Sequence, residues 1–177
     1  METTKNKMSD FAENFFKKLS KYLDTKLYFF GSIQRPDYIP ESSDIDVDVF
    51  TDNENSTIIK VQNFLGIKRS DIKHFTLYTN TSDKMVTGHK VKYEDKKNNF
   101  QFELCIFNEK IKDIVLKDHN FKVSLPFYVS FFLIIIKTLY YRLGILPRPI
   151  FYYCKKILMN YMIHGKDQDI IISEKNL

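Results

Sequence analysis

Acidic and apolar residues alternate strictly through Asp44-Ile45-Asp46-Val47-Asp48-Val49. Residues two apart in a strand project to the same face. This period therefore predicts a β-strand with carboxylates on one side and aliphatic side chains on the other. A second stretch repeats the logic. Phe100, Phe102, Leu104 and Ile106 form one apolar face, and Glu103 stands opposite, flanked by Gln101 and Cys105. Each strand offers one face to a core and one face to chemistry.

The rest of the chain supplies the elements to cover such strands. Phe11, Phe15, Leu19 and Leu23 recur every four residues and predict an amphipathic helix, with Asp10 and Glu13 as its capping box. Lys26 to Phe30 reads as a short strand ending at Gly31-Ser32. The two prolines between Gln34 and Ser43 make that stretch a loop. Ser56 to Leu65 reads as a helix with Gly66 as its C-cap. Ile72 to Thr79 is a strand. Val86 to Tyr93 and Phe100 to Phe107 are two more, joined by the polar turn Glu94 to Asn99. Helices follow: a short one after Asn108, a long one from Leu125 to Leu143, and a last one from Pro149 to Ile163.

This order predicts an α+β fold. Its mixed sheet has about four or five strands, with helices on one face and a helical C-terminal region. The expected organisation is one domain over 1–177. Residues 1–122 form an α/β core, 123–163 the C-terminal helices, and 164–177 a polar tail.

Composition excludes several classes. A hydrophobic fraction of 44% and a charged fraction of 28% are globular values. Only five Gly and five Pro rule out collagen-like and linker-like chains. The 27 basic residues exceed the 22 acidic ones, which favours an anionic partner without naming it. Cys105 and Cys154 lie in no CxxC or zinc spacing, so a reducing, intracellular compartment such as the cytoplasm is expected. The polar start of the chain lacks an apolar signal region. Leu125 to Ile136 is apolar but shorter than the roughly 20 residues of a membrane span, so a buried core helix is expected there.

Asp44 and Asp46 project together from one strand face. Two neighbouring carboxylates repel unless a cation lies between them, and hard oxygen ligands suit Mg²⁺ or Mn²⁺. If Glu103 lies on a neighbouring strand, the three acids converge on a site for two such ions. Gly31 lets the backbone approach a phosphate, and the Ser32 hydroxyl can donate to it.

Gly31-Ser32, eleven intervening residues, Asp44-Ile45-Asp46 and a later Glu103 on its own strand resemble the signature of the DNA polymerase β-like nucleotidyltransferase superfamily. The resemblance is to its minimal, template-independent type. The motifs span Leu27 to Phe107. The resemblance implies metal-dependent transfer of a nucleoside monophosphate from a nucleoside triphosphate, such as ATP, to a hydroxyl, with release of pyrophosphate. Asp44 and Asp46 would bind both metals. Glu103 would bind the catalytic one and position or deprotonate the acceptor hydroxyl. Gly31 and Ser32 would hold the triphosphate. Lys137, on the helix after the third acid, would join them there. The acceptor would be an RNA or DNA 3′ end, otherwise a protein or a small molecule. The chain departs from the pattern where Glu103 replaces the more usual Asp and where Asp48 adds an acid to the active face. It has no room for the accessory modules of templated DNA polymerases.

Blander assignments exist for the same residues. The three aspartates can blunt a strand edge. Lys137 can snorkel from the end of an apolar helix. Arg35 can be a plain surface charge. At the level of the whole chain, the alternatives are a catalytically silent nucleotide-binding or regulatory module and a metal-dependent glycosyltransferase using Asp-x-Asp.

Overall fold

The structure, a computed structural model, describes residues 3–40 and 42–162, with side chains through residue 159. The expected tail from His164 and the end of the last helix at Ile163 lie outside the described residues.

Helix α1 (Asp10–Leu23) opens one residue earlier than its acidic pattern predicts. Ser9, in extended conformation, is the N-cap and accepts from Ala12 N–H at 3.2 Å. The buried stripe is Ala12, Phe16, Leu19 and Leu23, while Phe11 stays 39% exposed. The apolar face is thus rotated by one residue at its N-terminal end.

Strand β1 (Tyr28–Phe30) leads into a single 3-10 turn over Gly31–Gln34, and β2 covers Ile45–Thr51. Helix α2 (Glu54–Leu65) ends at Gly66 in the left-handed conformation, as expected. Strands β3 (Lys73–Thr79), β4 (Lys84–Asp95) and β5 (Phe100–Asn108) follow. Helices α3 (Lys112–Val123), α4 (Phe127–Lys137) and α5 (Arg148–Met162) complete the described chain.

The five strands form one sheet in the order β1-β2-β5-β4-β3. Only β2 and β5 run parallel, so the sheet is mixed and the fold is α+β. The two strands of alternating pattern become central neighbours. Parallel pairing of β2 with β5 needs a long crossover, which α2, β3 and β4 supply.

The main core lies on one side of these strands. Val47, Val49, Phe102, Leu104 and Ile106 pack with Phe16 and Leu19 of α1 and Ile58 and Val61 of α2. Each such side chain contributes about 1.5–3 kcal/mol by leaving water. A smaller cluster on the opposite face places Val115 of α3 against Phe50, Phe75, Cys105 and Phe107. That face also carries the acids.

The Leu125 to Ile136 stretch is not the buried core helix its composition predicts. Helix α4 buries Val129, Ser130, Leu133 and Lys137, but Phe127, Phe131, Phe132, Ile134 and Ile135 are exposed. It packs chiefly on α5 and the π-helical turn Thr138–Arg142, away from the sheet, so only one stripe is covered. Among the described residues, no single helix is long and apolar enough to cross a membrane.

Candidate active site

The register of the sheet assembles the site. Asp46 of β2 pairs with Phe30 of β1 on one side and with Glu103 of β5 on the other. Adjacent strands lie about 4.8 Å apart, and paired residues share a face. Asp46 and Glu103 are therefore side by side. Gly31 follows Phe30 directly, with a φ of +69°, and a Cβ there would fall 2.0 Å from Asp46 Oδ2. Only glycine fits this position, by conformation and by space. Ser32 is buried in the same turn. Asp44 precedes β2, is exposed, and lines a cleft of about 460 Å³ together with Glu103.

Two other carboxylates act on Asp46 electrostatically. Burial, then Glu103, then Asp44 push the half-buried Asp46 carboxyl up to about 7, with Lys155 and Arg35 opposing. This is the behaviour of acids short of positive charge. The donors are hard oxygens on neighbouring positions, so Asp44 and Asp46 suit a divalent cation. Glu103 differs. Its Oε1 lies 2.6 Å from Lys90 Nζ and its Oε2 lies 3.3 Å from Lys92 Nζ. Among the described residues, no three His, Cys, Asp or Glu side chains are gathered as a metal-binding group.

Lys137 reaches the region from α4 but neither snorkels nor lines the cleft. It is 3% exposed, sits 2.8 Å from Asp37 Oδ2 and donates to the Asp37 carbonyl at 2.8 Å. Arg35 is no surface charge either. It is buried, and its Nε and Nη2 donate to Asp37 at 2.8 and 3.1 Å. Burial alone would raise the Asp37 carboxyl, but Arg35 first and Lys137 second hold it below its ordinary value. Burial pushes the Lys137 ammonium down, Asp37 opposes, and Arg35 and Lys155 add to the depression. Arg35 and Lys137 thus share the one anion Asp37, while Lys155 and Arg35 add their fields at Asp46.

Asp48 is neither exposed nor at the end of its strand. It is fully buried, with Oδ2 2.6 Å from His119 Nε2. The imidazole stacks on Phe30 at 3.8 Å. Burial raises Asp48, and His119 partly offsets this. Asp48 thereby ties α3 to the back of the turn that carries Gly31.

The opposite wall of the cleft comes from the C-terminal helices. It includes Tyr141, Arg148, Tyr152 and Lys155, and the Arg148 guanidinium lies 5.6 Å from the Tyr152 ring centroid. Burial, then Asp44, push the Tyr141 phenol up to about 12, so it stays a donor.

Sequence reasoning misses Asp37, Lys90, His119 and Lys155. A signal for the lysines of β4 exists. The tight turn between Asp95 and Phe100 sets Lys92 opposite Glu103 by counting back along the hairpin.

A family model described as a nucleotidyltransferase domain matches residues 12–128. No curated protein matches the chain. Solved structures with likeness include that of Cid1, described by its RNA terminal uridylyl transferase activity. It is 18% identical with a TM-score of 0.39, over 77% of this chain and 41% of that one. Another is the GLD-2/RNP-8 complex, 12% identical with a TM-score of 0.35, over 92% of this chain and 64% of that one. The chain therefore spans less than two thirds of either.

Proposed function

The chain belongs to the nucleotidyltransferase domain family, and from that premise we propose that it transfers a nucleoside monophosphate from a nucleoside triphosphate to a hydroxyl acceptor. The acceptor oxygen bonds to the α-phosphorus, the bond to the bridging oxygen of the β-phosphate breaks, and pyrophosphate leaves. The observation that carries this reading is the packing of Gly31 directly against Asp46, with Glu103 on the adjacent strand.

Each residue has a role in it. Asp44 and Asp46 would hold Mg²⁺ or Mn²⁺, with Glu103 completing the set for two ions. Bound there, the metal supplies charge neutralisation at the phosphates and lowers the cost of forming the attacking oxygen. The Gly31-Ser32 turn offers backbone N–H groups and the Ser32 hydroxyl to the triphosphate. Lys137 serves the triphosphate through the field it shares with Arg35 and Lys155. Glu103 positions the acceptor hydroxyl and accepts its proton at Oε2, the oxygen more loosely held by lysine. Beside the acids Asp44, Glu94 and Glu103, the cleft offers Lys92, Arg148 and Lys155, which suit the phosphates at the 3′ end of a nucleic acid as acceptor.

One observation favours a second reading. Both Glu103 oxygens are engaged by lysines, as expected in a silent nucleotide-binding module. The two readings separate when the protein is incubated with α-labelled NTPs or dNTPs, Mg²⁺ or Mn²⁺, and RNA, DNA and protein acceptors. Transfer of label to RNA or DNA supports the proposal. Transfer to protein alone keeps the chemistry and overturns the acceptor. Nucleotide binding without transfer supports the silent module.

A further inference from the structure

We propose that Lys90 is a built-in counter-cation of Glu103 that competes with divalent metal for this carboxylate. The inference rests on the proposal that Asp44, Asp46 and Glu103 form a metal site, and it adds a residue to which that proposal gives no role.

The two lysines that meet Glu103 are not equivalent. Lys92 pairs with Glu103 across the β4–β5 ladder, but its side chain is 76% exposed and its contact is 3.3 Å. A solvated pair of that kind contributes little. Lys90 lies two pairs along, opposite Cys105 and on the same face, and reaches Glu103 diagonally at 2.6 Å. Its side chain is only 20% exposed, and its ammonium also sits 5.3 Å from the Phe75 ring centroid. Half-buried between an aromatic face and a carboxylate, its charge is less screened than that of Lys92.

Glu103 is the strongest charge acting against Asp46. Lys90 offsets the charge of Glu103 at 2.6 Å, which eases the repulsion in the absence of metal without removing it. An ammonium and a divalent cation repel each other at one carboxylate. Engaging Glu103 with metal therefore means separating it from Lys90, whose ammonium keeps its place over Phe75. Metal affinity of the free protein is lowered by that exchange. A triphosphate, which brings four negative charges and its own bound cation, tips the exchange the other way.

The test is a Mn²⁺ titration of the full chain without nucleotide, read as free Mn²⁺ by electron paramagnetic resonance. Lys90→Met should bind Mn²⁺ about tenfold more tightly than wild type, and Lys92→Met should change affinity by less than about threefold. In a Glu103→Gln background, the effect of Lys90→Met should shrink to less than about twofold, because the competed group is gone. Lys90→Gln repeats the measurement with a polar side chain, and thermal melts establish that each variant is folded. Unchanged or weaker binding in both Lys90 variants overturns the competition. A gain that survives in the Glu103→Gln background also overturns it, since the lysine then acts only through its general field. The underlying reading fails separately: if Asp44→Asn/Asp46→Asn leaves Mn²⁺ binding untouched, or wild type binds none even with a triphosphate, the metal site itself is refuted.

Discussion

A methyl group on Gly31 would lie 2.0 Å from Oδ2 of Asp46, so the turn after β1 and the central acid of β2 occupy space that admits no side chain between them. Gly31→Ala must displace Asp46 or open the turn, and it also forces alanine to a φ of +69°. We expect stability to fall by about 1–3 kcal/mol. Nucleotidyl transfer should drop by about a hundredfold or more, the scale of a 1 Å misplacement in an active site. Denaturant melts and initial rates measure the two effects separately.

Asp37 is the shared anion of Arg35 and Lys137, and all three are buried. Asp37→Asn leaves two cations facing each other without a counter-charge. It should destabilise the chain by about 3–5 kcal/mol. Because Asp37 is held below its ordinary value of 3.8, its contribution is present above that pH and is lost as pH falls further. The deficit of the variant should therefore be full at pH 7 and shrink below about pH 4. Urea melts at pH 7 and pH 3.5 test this.

Asp46 behaves in the opposite sense. Its folded carboxyl titrates at about 7, against 3.8 ordinarily, so the folded chain holds the extra proton between those values. Stability of the metal-free protein should decline as pH rises from about 4 to 7 and then level off. Asp46→Asn removes the decline. In chelator at pH 8 it should be more stable than wild type by on the order of 2 kcal/mol, while losing activity. A variant no more stable than wild type at pH 8 would show that the site carries no electrostatic strain.

The parts of this site legible in the sequence are those written with a period of two. The alternation in Asp44 to Val49 and in Phe100 to Ile106 specifies which side chains share a face, because strand geometry permits nothing else. The adjacency of β2 and β5 does not follow from either strand alone, since it depends on a crossover through α2, β3 and β4. The pairing of Asp37 with Lys137 joins residues a hundred positions apart, and no local pattern marks it. Lys155 acts on Asp46 only because α5 folds back over the cleft. Helix α4 misleads for a related reason. Hydropathy records how apolar a segment is, not what packs on it, and among the described residues Phe127 and Phe131 stay exposed.

The account stands or falls on Asp44 and Asp46 as the residues that make transfer metal-dependent. The direct measurement is the rate of labelled monophosphate transfer, in Mg²⁺ and in Mn²⁺, by wild type, Asp44→Asn and Asp46→Asn, each with a melting curve as proof of folding. We predict that wild type transfers and that each variant, though folded, loses at least about a thousandfold in rate with either metal. Full activity in both folded variants would contradict the account.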